Sequence, residues 1–502
     1  MQTVLESFLA RASAHPGKPL FECPGRPALS HGQTRDLVWR LATVLTEAGI
    51  RPGDRVAVQT DKSPEAIGLY LAVLQVGAVY VPLNTAYTAA EIDYFLGDAA
   101  PRLFVCTPPA LEGHRARQTD TLRVESLGPR SDGSMMDLAS KADPRTDHVA
   151  LSLSDPAAIL YTSGTTGRSK GAVLTHGNLA SNVTALLESW QFTGDDRLIH
   201  ALPIFHTHGL FVAVNMALVA GATLLWLDRF DAEAVIDLMA DATVLMGVPT
   251  FYTRLLKSDR LDRDHTRGMR LFVSGSAPLL AEDHRAFERA TGQAILERYG
   301  MTETCMITTN PYDGVRKPGA VGMALPGIAI RVTDRDSGKP VPDGEVGLVE
   351  VHGPNVFQGY WQMPEKTASE FRADGFFITG DLGLIGEDGY LRIVGRDKDL
   401  IISGGYNVYP KEIEGLIDEI PGVVESAVIG LPHPDLGEGV AAVVVLRPDA
   451  DLDAETVLAA IEGRLARYKL PRRMVFVEEL PRTVMGKVQK AQLRAAYADL
   501  YR

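Results

Sequence analysis

The sequence predicts an α/β multidomain protein, with a large N-terminal α/β domain of sheet-and-helix subdomains over 1–395 and a small α+β domain over 396–502. Three observations predict it. At 502 residues the chain exceeds the size at which a single hydrophobic core stops growing, so two or more domains are expected. Strand-like and helix-like segments alternate through the first part of the chain, the pattern of a parallel sheet covered by helices. The charged run GRDKD (395–399) then interrupts two apolar strand-like segments, as an exposed hinge would, and the stretch beyond it has the size of one domain.

In chain order, DRVAVQ (54–59) reads as a strand and SPEAIGLYLAVLQVG as a helix, with Ser63 at the N-cap, Pro64 at the first helical position and Gly77 near the end. AVYVPLN and RLFVC read as strands flanking the short helix AEIDYFLGDA. Residues 110–147 are polar and read as surface connections. DPAAILY (155–161) has the length and bounds of a buried strand. Further on, Leu179, Val183, Leu186 and Leu187 recur at helical spacing, so YTSGTTGRSKG (161–171) reads as a strand-to-helix loop. DAEAVIDLMADA and AEDHRAFERATG look helical, while VLMGVPTFYTRLL and MRLFVSGSAPL each run from strand toward helix. Strands then dominate in ILERYG, AIRVTD, GEVGLVEVHG and DGFFITGDLG. Past the charged run, ESAVIGLP, GVAAVVVLRP and RMVFVEELP read as strands. DAETVLAAIEGRLARY reads as a helix with Val457, Ile461 and Leu465 on one face.

A net charge of −13 argues against a general nucleic-acid or anionic-membrane partner. Cys23, Cys106 and Cys305 are few, odd in number and widely spaced, so neither a disulfide framework nor a zinc site is expected, and a reducing cytoplasm suits them. The N-terminus has no signal-peptide core. The richest apolar run, FVAVNMALVAGATLLWL, is broken by Asn215 and Gly221 and reads as a buried helix and strand.

The loop 161–171 carries the first functional signal. Its glycines let backbone N–H groups turn toward an anion, its hydroxyls add donors, and Lys170 supplies a point charge. Ser169 stands where a Walker A loop needs its second glycine, so the reading is a triphosphate loop of another family.

This loop, YGMTE (299–303), TGD (379–381), GRDKD, GGYNVYP (404–410) and PRTVMGK (481–487) occur in the order seen in acyl-adenylating enzymes. The chain resembles that family of acyl-CoA synthetases, peptide-synthetase adenylation domains and firefly luciferase over essentially its whole length. ALPIFHTHGLF, SGSAPLLAEDHR and ERYGMTET are similar to the bacterial malonyl-CoA synthetase subgroup. The resemblance implies a large N-terminal domain, a mobile C-terminal domain and a hinge at Lys398. It further implies ATP, Mg2+ and coenzyme A, and formation of malonyl-AMP followed by malonyl-CoA, with methylmalonate also accepted.

On the same ground, Thr162, Ser163, Thr165, Thr166 and Lys170 would embrace the β- and γ-phosphates. Tyr299 would lie against adenine, with Ser276 at the adenine-side strand end. Thr302 would stand near the α-phosphate, Glu303 and Thr162 at magnesium, and Asp381 and Arg396 at the ribose. Lys487 would be the catalytic lysine, neutralising charge as the mixed anhydride forms, and an exposed lysine there would suit a lysine acetyltransferase. Gly404 and Gly405 would let the pantetheine thiol approach. His206 would line the acyl pocket, with His208 structural; no further metal-ligand set accompanies the pair, so no zinc site is expected. Arg285 would bind the second carboxylate of malonate, although Glu282 and Glu288 could instead pair with it along the helix. Other readings stay open: a ligase for a neutral short- or medium-chain acid, and a stand-alone adenylation domain that loads a carrier protein; retention of Lys170, Glu303, Asp381, Arg396 and Lys487 speaks against a third, a degenerate nucleotide-binding regulator.

Overall fold

The computed structural model describes residues 1–162, 169–483 and 486–501. Among these residues the strands form four sheets. A seven-stranded sheet has the parallel strands Arg55–Gln59, Val79–Pro82 and Leu103–Cys106 near its centre. The helix Pro64–Gln75 is buried along its whole length, which is why its sequence is apolar on every side. Ser63 caps it by accepting a hydrogen bond from the Ala66 amide, and Pro64 occupies the first turn.

A nine-stranded sheet contains the parallel strands Arg197–His200, Thr223–Trp226, Val244–Gly247, Leu271–Ser274 and Leu296–Met301. The segments carrying His206, Ser276 and Thr302 all lie just past the carboxyl ends of such strands, the usual place for ligand-binding loops in α/β sheets. A four-stranded antiparallel sheet runs from Ala329 to Arg396.

Beyond Arg396, two apolar clusters are built only from residues 401–501, around the long hairpin Val423–His433 and Gly437–Leu446. These residues pack against one another and share no apolar cluster with the larger part of the chain. No described helix is long and apolar enough to cross a membrane.

Three local expectations are corrected. The loop 161–171 does not lead into a helix: strand Pro156–Thr162 is followed by the antiparallel strand Lys170–Thr175, and only then by helix His176–Ser189. The alternation in KGAVLT is short, and the helical spacing of the next segment masks it. Within 110–147, Arg123–Ser126 is an edge strand parallel to Leu103–Cys106, hidden by its polar sequence because an edge strand is only partly covered. The helix expected through Leu465 ends at Ile461; Val457 and Ile461 are buried, and Leu465 packs on the same cluster from outside the helix.

Candidate active site

The hairpin that carries Lys170 sets the first part of the site. Thr162 lies directly opposite Lys170, and the Thr162 hydroxyl donates to the Lys170 carbonyl at 3.4 Å. Ser163, Thr165 and Thr166 fall outside the described residues. The Lys170 ammonium is 3.4 Å from Glu370 Oε1 and 4.2 Å from the centre of the Tyr360 ring. The Tyr360 hydroxyl lies 2.7 Å from Glu370 Oε2 and 3.0 Å from Glu303 Oε1.

Burial pushes the Glu303 carboxyl above its usual range, partly offset by the Tyr360 hydroxyl and by Arg396 and Lys170. No cluster of three metal-ligating side chains occurs among the described residues. A single buried carboxylate near the Lys170 ammonium fits magnesium, which takes few protein ligands and completes its shell with phosphate oxygens and water.

In the four-stranded sheet, antiparallel pairing sets Asp381 opposite Arg396. Asp381 is buried; its Oδ1 is 2.6 Å from Arg396 Nε, and the Tyr299 hydroxyl donates to its Oδ2. Asp381 raises the Arg396 pKa, and Tyr299 is raised chiefly by burial and then by the same carboxylate. Thr302 stands partly buried in the turn between Leu296–Met301 and Cys305–Thr309. Lys398 lies in the short turn Asp397–Asp399 that joins the two parts of the chain, with its pKa lowered by burial.

A further cluster is built by the strand ends around Arg298. This residue is 3% exposed, and its Nε and Nη2 have no hydrogen-bond partner. Strand alternation explains why: Glu297 points to the other face, where it binds His284 at 3.1 Å and the Gly319 amide at 3.0 Å. The guanidinium lies against Gly275, just past strand Leu271–Ser274. Burial lowers Arg298 to about 9, still charged at neutral pH.

His206 is half-buried and lowered to about 3 by burial, then by Lys487 and Arg298. His208 is fully buried and pushed well below its usual value, again chiefly by burial. Both rings are therefore neutral. His208 begins the π-helix His208–Val214, a geometry that often marks functional sites. Its Nδ1 is 3.3 Å from the hydroxyl of Ser276, which adopts a left-handed backbone with φ 72°.

Lys487 reaches this cluster from the C-terminal part of the chain. Its side chain is open to solvent yet walled in on several sides, and its pKa is lowered, first by burial and then by Arg396. Asp381 and Glu303 oppose that shift. Gly486 packs against Thr250, where an added Cβ would meet Cγ2 at 3.3 Å. The Thr483 hydroxyl accepts from the Lys487 amide, and Arg482 donates to the Gly486 carbonyl and pairs with Glu425.

The structure places Arg285 on the protein surface. Its side chain is 47% exposed and pairs with Glu282 at 3.2 Å on the solvent face of helix Ala281–Thr291. The inward residues of that helix are His284, Phe287 and Thr291. Arg285 fits a pattern in the sequence, but helical phase turns it outward. Arg298 sits one residue before Tyr299 inside YGMTE's own strand, and only its lack of a partner distinguishes it. Glu370 and Tyr360 escape sequence reasoning in the same way, because nothing local marks them as neighbours of Lys170. Gly404 and Gly405, with φ 59° and 83°, form the exposed two-residue turn between Ile401–Ser403 and Tyr406–Val408.

The family model described as AMP-binding enzyme matches residues 8–361, and that of the AMP-binding enzyme C-terminal domain matches 412–487. The chain belongs to the AMP-binding enzyme family. It is an AMP-forming acid–CoA ligase, of the kind that uses ATP, Mg2+ and coenzyme A. The ligase is 37% identical to the indoleacetate–CoA ligase of Aromatoleum aromaticum, over 97% of this chain and 96% of that one. It is 34% identical to the malonate–CoA ligase of Arabidopsis thaliana, over 89% and 78%. ATP-bound MatB from Rhodopseudomonas palustris superposes with a TM-score of 0.97 at 56% identity, covering 100% of both chains. Apo MatB, with the same identity and coverage, superposes at 0.86, so the ligase matches the ATP-bound form better.

Proposed function

We propose that the ligase acts on malonate, and on 2-methylmalonate, giving malonyl-AMP and then malonyl-CoA. The observation that carries this reading is Arg298, a buried guanidinium with unpartnered donors beside His206, His208 and Lys487. A second carboxylate would supply the two acceptors that a guanidinium fork lacks here. Acetate would leave the charge buried and unpaired, at a cost of several (about 3–5) kcal/mol.

In the first step a carboxylate oxygen attacks the α-phosphorus and the bond to pyrophosphate breaks. Lys487 counters the charge that gathers on the approaching carboxylate and α-phosphate, and Lys170 with Thr162 and the neighbouring loop holds the leaving group. Glu303, with Thr162, would hold magnesium, which would supply charge neutralisation at the phosphates. Tyr299, Ser276 and Thr302 frame the nucleotide, and Asp381 with Arg396 takes the ribose hydroxyls. His206, being neutral, lines the acyl group without adding charge.

In the second step the coenzyme A thiol attacks the acyl carbon, loses its proton, and AMP leaves. For this the small domain turns about Lys398, withdrawing Lys487 and bringing up the Gly404–Gly405 turn. A lysine acetyltransferase acting on the solvent-open Lys487 would remove the charge that adenylation needs. The three free thiols suit a cytoplasmic location. A relative that acts on indoleacetate keeps a neutral acid as the rival substrate.

The test is ATP–pyrophosphate exchange with malonate, methylmalonate, propionate, acetate and octanoate, in wild type, Arg298→Met and Arg285→Ala. Malonate should lead in wild type and in Arg285→Ala. Arg298→Met should lower kcat/KM for malonate on the order of 100-fold or more while leaving exchange with propionate. A neutral acid leading in wild type would reject the dicarboxylate reading.

A further inference from the structure

The loop lysine already has an anionic neighbour. Glu370 comes directly after the helix Pro364–Ser369, close to strand Gly359–Tyr360, which in turn pairs with Lys170–Thr175. Its Oε1 lies 3.4 Å from Lys170 Nζ and 2.6 Å from Lys366 Nζ, and its Oε2 lies 2.7 Å from the Tyr360 hydroxyl. That same hydroxyl is 3.0 Å from Glu303 Oε1. One carboxylate is therefore joined directly to Lys170 and, through one phenol, to Glu303.

The two cation contacts are unequal. Lys366 holds Glu370 at close ion-pair distance, and Lys170 stands farther off. A carboxylate already neutralised by Lys366 competes weakly with a triphosphate for Lys170, yet it can hold the ammonium once the phosphates are gone.

We infer that Glu370 is a positioning residue that keeps Lys170 in place while the triphosphate site is empty and recaptures it as pyrophosphate leaves. Lys366 sets how strongly it does so. This rests on the reading of Lys170 as a ligand of the β- and γ-phosphates. Glu370 itself touches no reacting atom; it acts through Lys170.

Adenylation kinetics and calorimetric binding of a non-hydrolysable ATP analogue and of pyrophosphate test it, in Glu370→Gln, Lys366→Met, Lys170→Met and Lys170→Met/Glu370→Gln. Glu370→Gln should lower KM for ATP and Ki for pyrophosphate about threefold, the size of a partly solvated ion pair, with KM for the acid unmoved. Lys366→Met should move both constants the other way. A merely structural role would not give opposite signs, and calorimetry still reads the effect if turnover suffers. If Lys170→Met leaves ATP and pyrophosphate affinity untouched, the phosphate reading of Lys170 fails. If Lys170→Met weakens both but Glu370→Gln raises KM for ATP and Ki for pyrophosphate, leaves those constants unchanged, or acts equally in the Lys170→Met background, that reading survives and the role of Glu370 is overturned.

Discussion

The guanidinium of Arg298 rests on the α-carbon of Gly275, so closely that a Cβ there would stand 2.4 Å from Cζ and 2.5 Å from Nη1. Two adjacent parallel strands thus meet through a missing side chain, and the space it leaves is filled by a buried charge. Gly275→Ala should therefore displace Arg298 without removing it. Misplacement of a binding group by about 1 Å costs on the order of 100-fold, so kcat/KM for malonate should fall by roughly 10- to 100-fold with propionate little affected. Initial-rate measurements with both acids check this; equal loss for the two would place the damage elsewhere.

Lys487 offers a second test. Burial and Arg396 lower its pKa, so at a given pH more of its amine is neutral than in an ordinary lysine. An amine-acylating reagent followed by peptide mass spectrometry should show Lys487 reacting at lower pH than the exposed lysines. For the free enzyme, the adenylation rate should correspondingly decline on the alkaline side before an unperturbed lysine would lose its proton. Saturating ATP should suppress the labelling, because phosphate charge favours the ammonium. A titration indistinguishable from that of surface lysines would contradict the crowded setting.

The Asp381–Arg396 pair ties strand Phe377–Ile385 to the segment that leads into the smaller part of the chain. Asp381→Asn would leave Arg396 without its carboxylate and Tyr299 with a weaker acceptor. The guanidinium is partly solvated, so the stability loss should be about 1–2 kcal/mol, below that of a fully buried broken pair. Urea unfolding measures this, and AMP binding should weaken in the same variant. An unchanged midpoint would mean that water replaces the carboxylate without loss.

Glu303 is the carboxylate read as meeting magnesium. Glu303→Gln keeps its shape and the Tyr360 contact but removes the charge. Half-maximal exchange should then need several-fold more magnesium, and chelation should abolish activity in both forms. A magnesium dependence identical to wild type would remove Glu303 from that role.

Much of the site is legible in the chain because its groups lie in short contiguous motifs: Tyr299 to Glu303, Asp381 in TGD, Arg396 in GRDKD and Lys487 in PRTVMGK. Local pattern is equally sufficient for the parallel strands and for the capped helix after Ser63, whose periodicity and start signals agree. It fails where the deciding fact is orientation. Arg285 and Arg298 are both arginines in plausible stretches, and sequence pattern favours the one that the fold leaves exposed.

The sequence by itself determined the chemistry of the family, the two-part architecture and the order of the family's short motifs, because each depends on residues near one another in the chain. Only the tertiary structure decided which arginine is inside. Arg298 is buried because its strand pairs within a covered sheet and its neighbour across that sheet is a glycine; Arg285 is exposed because its helix turns it away toward Glu282. Burial, partnering and the approach of Lys487 to Asp381 and Glu303 are long-range properties. They arise when the sheets pack together, and no local pattern encodes them.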